Sequence, residues 1–349
     1  MPDHFKKILA DKNINASAPC RIDLGGTLDI SAFYYPLRHL LPATFNIAID
    51  LRTQVSLLPY HGKLIKVSST GFKDTEYILD KAPFYHPLGL MFAIAAYFRA
   101  EGIHVLIEST SPPRSALGGS SAAAVALIGA FLKLSRDGSL KSISRKKTAI
   151  LAHELESSVA GVPCGLQDQL AAAYGGVNAW YWGQDENGAT FKRKTVVSNQ
   201  FHQELERHLL VAYCGIPHES KNINQKWINH FLAGKNREIW AEIVSCTQKF
   251  IDALSELNYQ AAAAAMNMEM AVRKKMTPDV LDDLGEKLVQ AAIDGNCGAR
   301  FTGAGGGGCI WAIGASKDIC SLKENWTKIL AARKEAGLLN VKIDSQGLL

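Results

Sequence analysis

Residues 111–131 read SPPRSALGGSSAAAVALIGAF, and the second half of this segment is the strongest constraint on the fold. Residues 122–132 form an unbroken run of small and apolar side chains, so a helix here has to be buried on every side. The run is far shorter than the roughly 20 residues that cross a bilayer. The chain must therefore build a core around this helix, with Gly118, Gly119, Ser120 and Ser121 at its start.

Glycines and hydroxyls at a helix start are compatible with two interpretations. The first four amides of a helix have no partner within it, and the helix dipole favours negative charge there. Glycine also lets the backbone approach a ligand closely. The segment 115–121 is therefore either an anion site or a turn in which a serine caps the helix. It is not a Walker loop, because the chain contains no GxxxxGK[ST] pattern.

Length and composition restrict the class of protein. A chain of 349 residues is long for one core, and we expect two domains in close contact, residues 1–198 and 199–349. The seven cysteines are scattered without a CxxC pair, which predicts reduced thiols in a cytoplasm and neither disulfides nor a zinc site. The start MPDHFKKILA predicts no signal peptide, and the interleaved charges, net +5, predict neither a nucleic-acid nor a membrane partner.

The order of predicted elements indicates an α+β fold. In the first half, strands over 18–28, 45–58, 64–68, 103–108, 176–182 and 190–197 surround helices over 87–101, 144–160 and 165–174, a mixed α/β layer. In the second half a strand over 209–216 precedes helices within 221–294. Two strands around a glycine turn (299–314), a helix (318–336) and a strand (340–344) then follow. This order predicts a ferredoxin-like C-terminal domain.

The glycine turn, GAGGGG at residues 303–308, satisfies the pattern GxGxxG. A dinucleotide-binding fingerprint has to open a helix, whereas the strand-like CIWAIG follows here. Five glycines in six residues exceed what a hairpin tip requires. We therefore favour close approach of this backbone to a ligand.

Two acidic side chains are candidates for chemistry. Glu156 shares a helix face with Ala149, Ala152 and other small residues, so it could be aimed at a metal ion, whereas Glu154 lies on a different side. A solvent-exposed position is the alternative for either glutamate. Asp168, in the small and apolar segment CGLQDQLAAAYGG, is either a helix N-terminal charge or a base held in a pocket.

Arg21 and His218 complete the set of candidates from the residues alone. Arg21 stands in APCRIDLGG, and an arginine among small strand residues usually requires an anion, with Asp23 or Asp29 as a structural partner in the alternative. His218 follows a predicted strand end in YCGIPHES, where it either contacts substrate or has no role.

Three segments together resemble the three motifs of the GHMP kinases, in order and in spacing: APCRIDLGG, PPRSALGGSSAAA and FTGAGGGGC. The family's usual GLGSS corresponds here to residues 116–120, ALGGS. CGLQDQLAAAYGG and GIPHES are most similar to its sugar-kinase branch, which includes heptose-phosphate kinases, L-fucokinases and galactokinase. The resemblance implies the GHMP kinase fold, with an N-terminal ATP-binding domain and a C-terminal domain.

The same resemblance implies ATP and Mg²⁺ as cofactors. The phosphates would contact Ser115, Ala116, Leu117, Gly118, Gly119, Ser120 and Ser121, and the turn with Gly305 and Gly306 would close over the reacting groups. Ser120 (or Ser121) and Glu156 would be metal ligands. Asp168 would be the catalytic base, with Arg21 holding it ionised or steadying the phosphoryl oxygens. The substrate would contact Gly26, Asp29, His218 and Gly303.

The implied function is ATP-dependent phosphoryl transfer to a sugar hydroxyl, with the anomeric hydroxyl of a heptose phosphate, fucose-like or galactose-like sugar favoured. The partner is thus a small sugar or sugar phosphate, bound by a monomer or homodimer. A mevalonate-type kinase and a non-catalytic sugar or ATP sensor are the alternatives. The QDQ segment and the GGTLD turn favour the sugar kinase.

Overall fold

The first half of the chain is built on one seven-stranded sheet. The computed structural model describes residues 2–135, 143–161, 163–183, 191–217 and 220–349. The sheet has the order β4-β3-β5-β2-β6-β7, and β1 pairs with β2 outside this path. Its strands are β1 Ile14–Leu24, β2 Ala43–Pro59, β3 Leu64–Ser69, β4 Thr75–Ile78, β5 Ile103–Ser109, β6 Val177–Trp182 and β7 Phe191–Val197. The 17 residues of β2 are long enough to pair with β1, β5 and β6 along different stretches.

Several helices of the first half pack against this sheet. The helices of this half are α1 Pro2–Asp11, α2 Ser31–Tyr34, α3 Gly89–Tyr97, α4 Gly119–Leu134, α5 Arg145–Ala160, α6 Gln167–Tyr174 and α7 His202–Glu206. The apolar run at 122–132 lies in α4 and is buried from residue 122 to residue 131. Helix α4 packs against β1, β2, α5 and α6, which places its N-terminus beside the ends of those elements.

The second half forms a four-stranded antiparallel sheet with the order β11-β8-β10-β9. Its strands are β8 Leu209–Tyr213, β9 Gly298–Phe301, β10 Cys309–Ile313 and β11 Gly337–Leu339, and its helices are α8 Ser220–Leu232, α9 Arg237–Ser255, α10 Tyr259–Met276, α11 Asp283–Asp294 and α12 Ser316–Leu330. Between β8 and β9 the chain has the four helices α8–α11, where a ferredoxin-like unit has a single helix. The predicted α+β class is confirmed.

The prediction of a last strand over residues 340–344 is wrong. The last strand, β11, is earlier and shorter, and the chain then crosses to the first half of the molecule. There Asp50 N–H donates to Lys342 O and Asp344 N–H to Ala48 O, each at 2.9 Å. The alternation of Val341 and Ile343 that suggested a strand is real, but these side chains pack on the first-half core.

The two halves exchange segments. The C-terminal tail packs against the first half, where Leu348 lies against Gly129 of α4. In the opposite direction, Leu28, Ile30 and Phe33 belong to the hydrophobic cluster of the second half. A boundary between residues 198 and 199 stays a prediction. Across the described ranges, no helix combines the length and apolarity that a membrane crossing requires.

Candidate active site

One cavity of about 440 Å³ lies where the two halves meet. Its wall is formed by the loop after β1, the segment 111–121, the facing sides of α5 and α6, and the start of the glycine turn. Residues Arg21, Asp29, Glu156, Asp168 and Gly303, which are far apart in the sequence, all line it. Most of the sequence-predicted site residues are thus brought together.

The start of α4 is open toward this cavity. Ala116 and Gly118 are in the left-handed region, with φ of 61° and 75°, and no side chain caps the helix. The serine-capped turn is therefore not what the chain forms, since Ser120 and Ser121 lie inside the first helical turn. A Cβ built on Gly119 would meet just Ser111 Oγ, at 3.6 Å, so the chain itself leaves the space beside this backbone free. Leu117 is buried outside the lining.

Arg21 and Asp168 form a two-pronged ion pair. Arg21 Nε donates to Asp168 Oδ1 at 2.8 Å, and Nη2 donates to Asp168 Oδ2 at 2.9 Å. Arg21 Nη1 donates to Ala116 O at 2.5 Å, which ties the pair to the glycine loop. Burial opposes the Arg21 charge, but Asp168 and Asp23 outweigh it, so the pKa of the guanidinium is raised. Asp168 Oδ2 is 3.3 Å from where a Cβ of Gly118 would lie, which puts the carboxylate against the helix start.

Glu156 lies across the same helix start. Ser121 Oγ donates to Glu156 Oε2 at 2.9 Å, and Gln169 Nε2 donates to the same oxygen at 2.6 Å. Burial raises the pKa of the Glu156 carboxyl, although these hydrogen bonds and one from Ser120 oppose the rise. Glu154, two residues earlier, is exposed, so the helix face that the small residues predicted is the one that faces the cavity.

These groups fit a magnesium ion that is shared with phosphates. Mg²⁺ is usually held by one or two carboxylates plus substrate phosphate oxygens and water. Glu156 is a partly buried carboxylate of the cavity, and Ser120 offers an exposed hydroxyl beside it. Within the described part of the chain, no three His, Cys, Asp or Glu side chains converge into a complete cage. The donor set therefore fits an ion that takes its remaining ligands from a triphosphate.

A second group of polar side chains lines the cavity near Asp29. Gln167 N–H donates to Asp29 Oδ2 at 3.0 Å. Burial is the main reason that the pKa of Asp29 is raised to about 7. The side-chain oxygens of Gln167 and Asn224 have no protein partner. Because unpartnered buried acceptors are costly, these oxygens indicate a wall that hydrogen-bonds a ligand.

The glycine turn divides into a cavity-lining part and a packed part. Gly303 lines the cavity, and its N–H donates to Asp23 Oδ1 at 2.7 Å. Gly305 and Gly306, expected at the nucleotide, are not among the lining residues. A Cβ there would lie 2.5 Å from Val280 Cγ2 and 2.7 Å from Ile223 Cδ1, respectively. Contact with the chain itself, together with positive φ, accounts for these two glycines.

Two more sequence-predicted residues, Gly26 and His218, are not found in the described cavity wall. Gly26 is not among the lining residues either, and a Cβ on it would approach Asp23 Oδ2 to 2.6 Å. Its role is therefore close packing beside the cavity wall. His218 lies outside the described residues.

Sequence reasoning missed a group of fully buried charges behind the loop: Asp23, Glu269, Arg273 and Arg300. The rule that drew attention to Arg21, an arginine among small strand residues, applies equally to Arg300 in GARF. Glu269 and Arg273 are four residues apart on α10, a spacing that is also typical of solvated helix pairs. Sequence reasoning also missed the apolar part of the cavity wall, which includes Phe72, Leu88, Met91 and Ile107.

Comparison with known proteins identifies a family for part of this chain. The family model for the GHMP kinases N terminal domain matches residues 88–176. The mevalonate kinase of Thermococcus sibiricus is 28% identical over 363 residues, which cover 95% of this chain and 97% of that protein. The D-glycero-alpha-D-manno-heptose 7-phosphate kinase of Campylobacter jejuni is 27% identical over 230 residues, covering 66% of this chain and 64% of that protein.

The fold is shared as well. The Lactococcus lactis galactokinase, solved in complex with galactose, superposes with a TM-score of 0.72 at 17% identity, covering 100% of this chain and 98% of its own. Residues 88–176 therefore match the N-terminal domain of the GHMP kinases, which are phosphotransferases that use ATP as the phosphate donor, and relatives that match most of the chain are named as kinases. The names of its relatives state two classes of acceptor, sugars and mevalonate.

Proposed function

We propose that the protein transfers the γ-phosphoryl group of ATP to a hydroxyl group of a sugar, the anomeric hydroxyl being favoured. The observation that carries this proposal is the Arg21–Asp168 pair held against the open, glycine-rich start of α4. A carboxylate in that position can accept a proton from an acceptor hydroxyl while backbone amides face the phosphates.

The cavity has separate places for the two ends of a nucleotide. Phe72, Leu88, Met91 and Ile107 offer an apolar surface suited to a base. Residues of the segment 115–121 line the same cavity, and the amides at the start of α4 suit a triphosphate. Phosphoryl transfer passes through a loose transition state, so catalysis depends mainly on positioning and charge neutralisation.

Asp168 and Arg21 have distinct parts in this proposal. Asp168 orients the acceptor hydroxyl and takes its proton. Arg21 donates from two nitrogens to Asp168 and from the third to Ala116 O. This arrangement favours a role for Arg21 in holding the base rather than in contacting the phosphoryl group. Mg²⁺, held by Glu156 and Ser120, would supply positive charge to the phosphate oxygens.

The acceptor side of the cavity favours a polyol. Thr27, Asp29, Gln167 and Asn224 present hydroxyl, carboxylate and amide groups there, which match the several hydroxyl groups of a sugar. Among the described lining residues the cationic side chains are Arg21, which Asp168 and Ala116 occupy, and Arg114 in the loop before α4. A carboxylate-bearing acceptor beside Asp29 and Asp168 would gain little from Arg21, whose nitrogens already bind Asp168 and Ala116 O.

A mevalonate-type kinase is the second candidate. It is supported by the mevalonate kinase of Thermococcus sibiricus, which is 28% identical across 95% of this chain. ADP release measured with D-galactose, L-fucose, heptose 7-phosphate and R-mevalonate separates the candidates. Turnover with a sugar and none with R-mevalonate is the expected result. The reverse pattern contradicts the sugar assignment.

The assignment of the base has its own test. Asp168→Asn should leave ATP binding nearly unchanged while turnover falls about 100-fold or more, because the general base is lost. Calorimetric ATP binding measured beside ADP release checks both parts. Turnover of Asp168→Asn near that of the wild type would refute the assignment.

A further inference from the structure

Thr27 has an unusual backbone for its residue type. Its φ is 76°, in the left-handed region that β-branched residues rarely adopt. Thr27 lies in the cavity wall, two residues before Asp29, and is almost completely buried. Backbone strain of this kind persists where the surrounding structure enforces it, and it is concentrated at functional sites. The residues that enforce it here are identifiable.

Arg273 of α10 holds this loop from the opposite half of the molecule. Its Nη2 donates to Gly26 O at 2.7 Å, and its Nη1 donates to Thr27 Oγ1 at 3.3 Å. The guanidinium contacts two indole rings that are nearly perpendicular to each other, with Cζ 4.9 Å from the ring centroid of Trp227 and 5.0 Å from that of Trp240. Contacts with two rings restrict the guanidinium and thus the direction of its hydrogen bonds.

Three further buried charges connect Arg273 to the glycine turn. Glu269 accepts from Arg273 Nε at 2.8 Å and from Arg300 Nε at 3.1 Å. Arg300 Nη1 donates to Asp23 O at 2.8 Å, and Asp23 Oδ1 accepts from Gly303 N–H at 2.7 Å. These four groups are two carboxylates and two guanidinium groups, and Asp23 also pairs with Arg21, whose Nη1 is 3.5 Å from Asp23 Oδ1. All four side chains are inaccessible to solvent.

We propose that Arg273 is a positioning residue for the phosphoryl acceptor. Through Gly26 and Thr27 it sets the backbone that carries Asp29, and through Glu269 and Arg300 it links that backbone to Gly303. This inference rests on the proposed function insofar as the ligand beside Asp29 is the acceptor. The hydrogen bonds of Arg273 end on the acceptor side of the cavity and do not reach residues 115–121.

A charge-balanced double variant separates positioning from stability. Removing Arg273 alone would leave Glu269 with an excess buried charge, which is costly for any fold. Glu269→Gln with Arg273→Met removes one charge of each sign and leaves Asp23 facing Arg300. The matched control is Lys274→Met with Glu286→Gln, which removes an ion pair from the neighbouring residue of α10.

The measurements are the melting temperature, the KM for ATP, and the KM for whichever sugar of the panel the wild-type enzyme phosphorylates. In the Glu269/Arg273 variant we expect the KM for the sugar to rise about tenfold, because small displacements of a positioning wall weaken binding of one substrate. The KM for ATP should stay within about twofold of the wild type, and the control should change neither KM beyond about twofold. Equal effects on both KM values, or a sugar KM like that of the control, would overturn the proposal.

Two further measurements cover failure of folding and failure of the proposed function. If the double variant does not fold, Arg273→Lys is the alternative, because lysine keeps the positive charge but lacks the planar, two-pronged donor group of arginine. A KM for the sugar equal to that of the wild type in this variant would then count against the proposal. Hydrogen exchange of residues 25–30 needs no substrate. Faster exchange there than in the control supports positioning even if no sugar is phosphorylated, whereas unchanged exchange overturns it.

Discussion

At the scale of single residues, Glu156 and Glu154 offer a matched pair of substitutions, because the two glutamates share a helix and differ in environment. Glu156 is partly buried and hydrogen-bonded to Ser121 and Gln169, whereas Glu154 is exposed. Glu156→Gln should raise the Mg²⁺ concentration needed for half-maximal turnover about tenfold or more, on the scale of altered metal sites. Glu154→Gln should leave that concentration unchanged. A magnesium titration of both variants checks this, and equal responses would contradict the assignment of the helix face.

Asp29 links stability to pH in a predictable direction. Its pKa is about 7 in the folded protein, above the ordinary value of 3.8, because burial disfavours the charged form. Between these values the folded state binds the proton more tightly than the unfolded state does. The free energy of unfolding therefore falls as pH rises through this window.

Asp29→Asn replaces the carboxyl group whose proton binding differs between the folded and unfolded states. The variant should gain stability relative to the wild type as pH rises from about 4 to about 8, by on the order of 4 kcal/mol in total. Denaturant unfolding at several pH values measures this, with the exposed Asp80→Asn as control. If the difference between variant and wild type does not depend on pH, the raised pKa is contradicted. The KM for the sugar should rise in Asp29→Asn, because the carboxylate is lost.

At the scale of elements, the start of α4 shows what its glycines are for. Gly119 has room for a Cβ in the protein itself, so folding does not require a glycine there. Gly119→Val should therefore leave the melting temperature nearly unchanged and raise the dissociation constant for ATP about tenfold or more, because the side chain enters the phosphate space. Calorimetry and thermal unfolding test the two parts. The control is Gly337→Val, whose Cβ also meets open space. Lower stability of Gly119→Val with unchanged ATP affinity would indicate a structural role.

The sequence predicted the helices and strands better than it predicted which residues contact one another. The apolar run at 122–132 could only be a buried helix, and the small residues before Glu156 identified the side of α5 that faces the cavity. Arg21 required an anion, and Asp23 is one of its partners as the alternative had it, but nothing local indicated Asp168, 147 residues away. For the same reason the link from Arg300 to Asp23, which spans 277 positions, could not be read from either segment. The five glycines of residues 303–308 indicated close approach, yet sequence alone could not tell a ligand from Val280 and Ile223.

At the scale of the whole molecule, the two halves are bound together by exchanged segments rather than by one flat interface. The C-terminal tail returns to the first half, where Leu349 and Ser17 exchange two backbone hydrogen bonds of 2.9 Å. Arg52 donates to Gly347 O at 2.7 Å and pairs with Asp344. The tail therefore closes the chain against β1 and α4, the elements that carry Arg21 and the glycine loop.

Leu348 makes this closure testable. Its side chain is 7% exposed and packs where Gly129 leaves a gap in α4. Leu348→Ala should lower the free energy of unfolding by about 2 kcal/mol, at the lower end for a buried leucine at a surface segment. Leu349→Ala, whose side chain is 45% exposed, is the control and should cost far less. Because the tail joins both halves, fluorescence and circular dichroism should report one coincident transition in each variant. Separate transitions for the two halves in Leu348→Ala would instead mean that the halves fold independently and that the tail merely rests on the first.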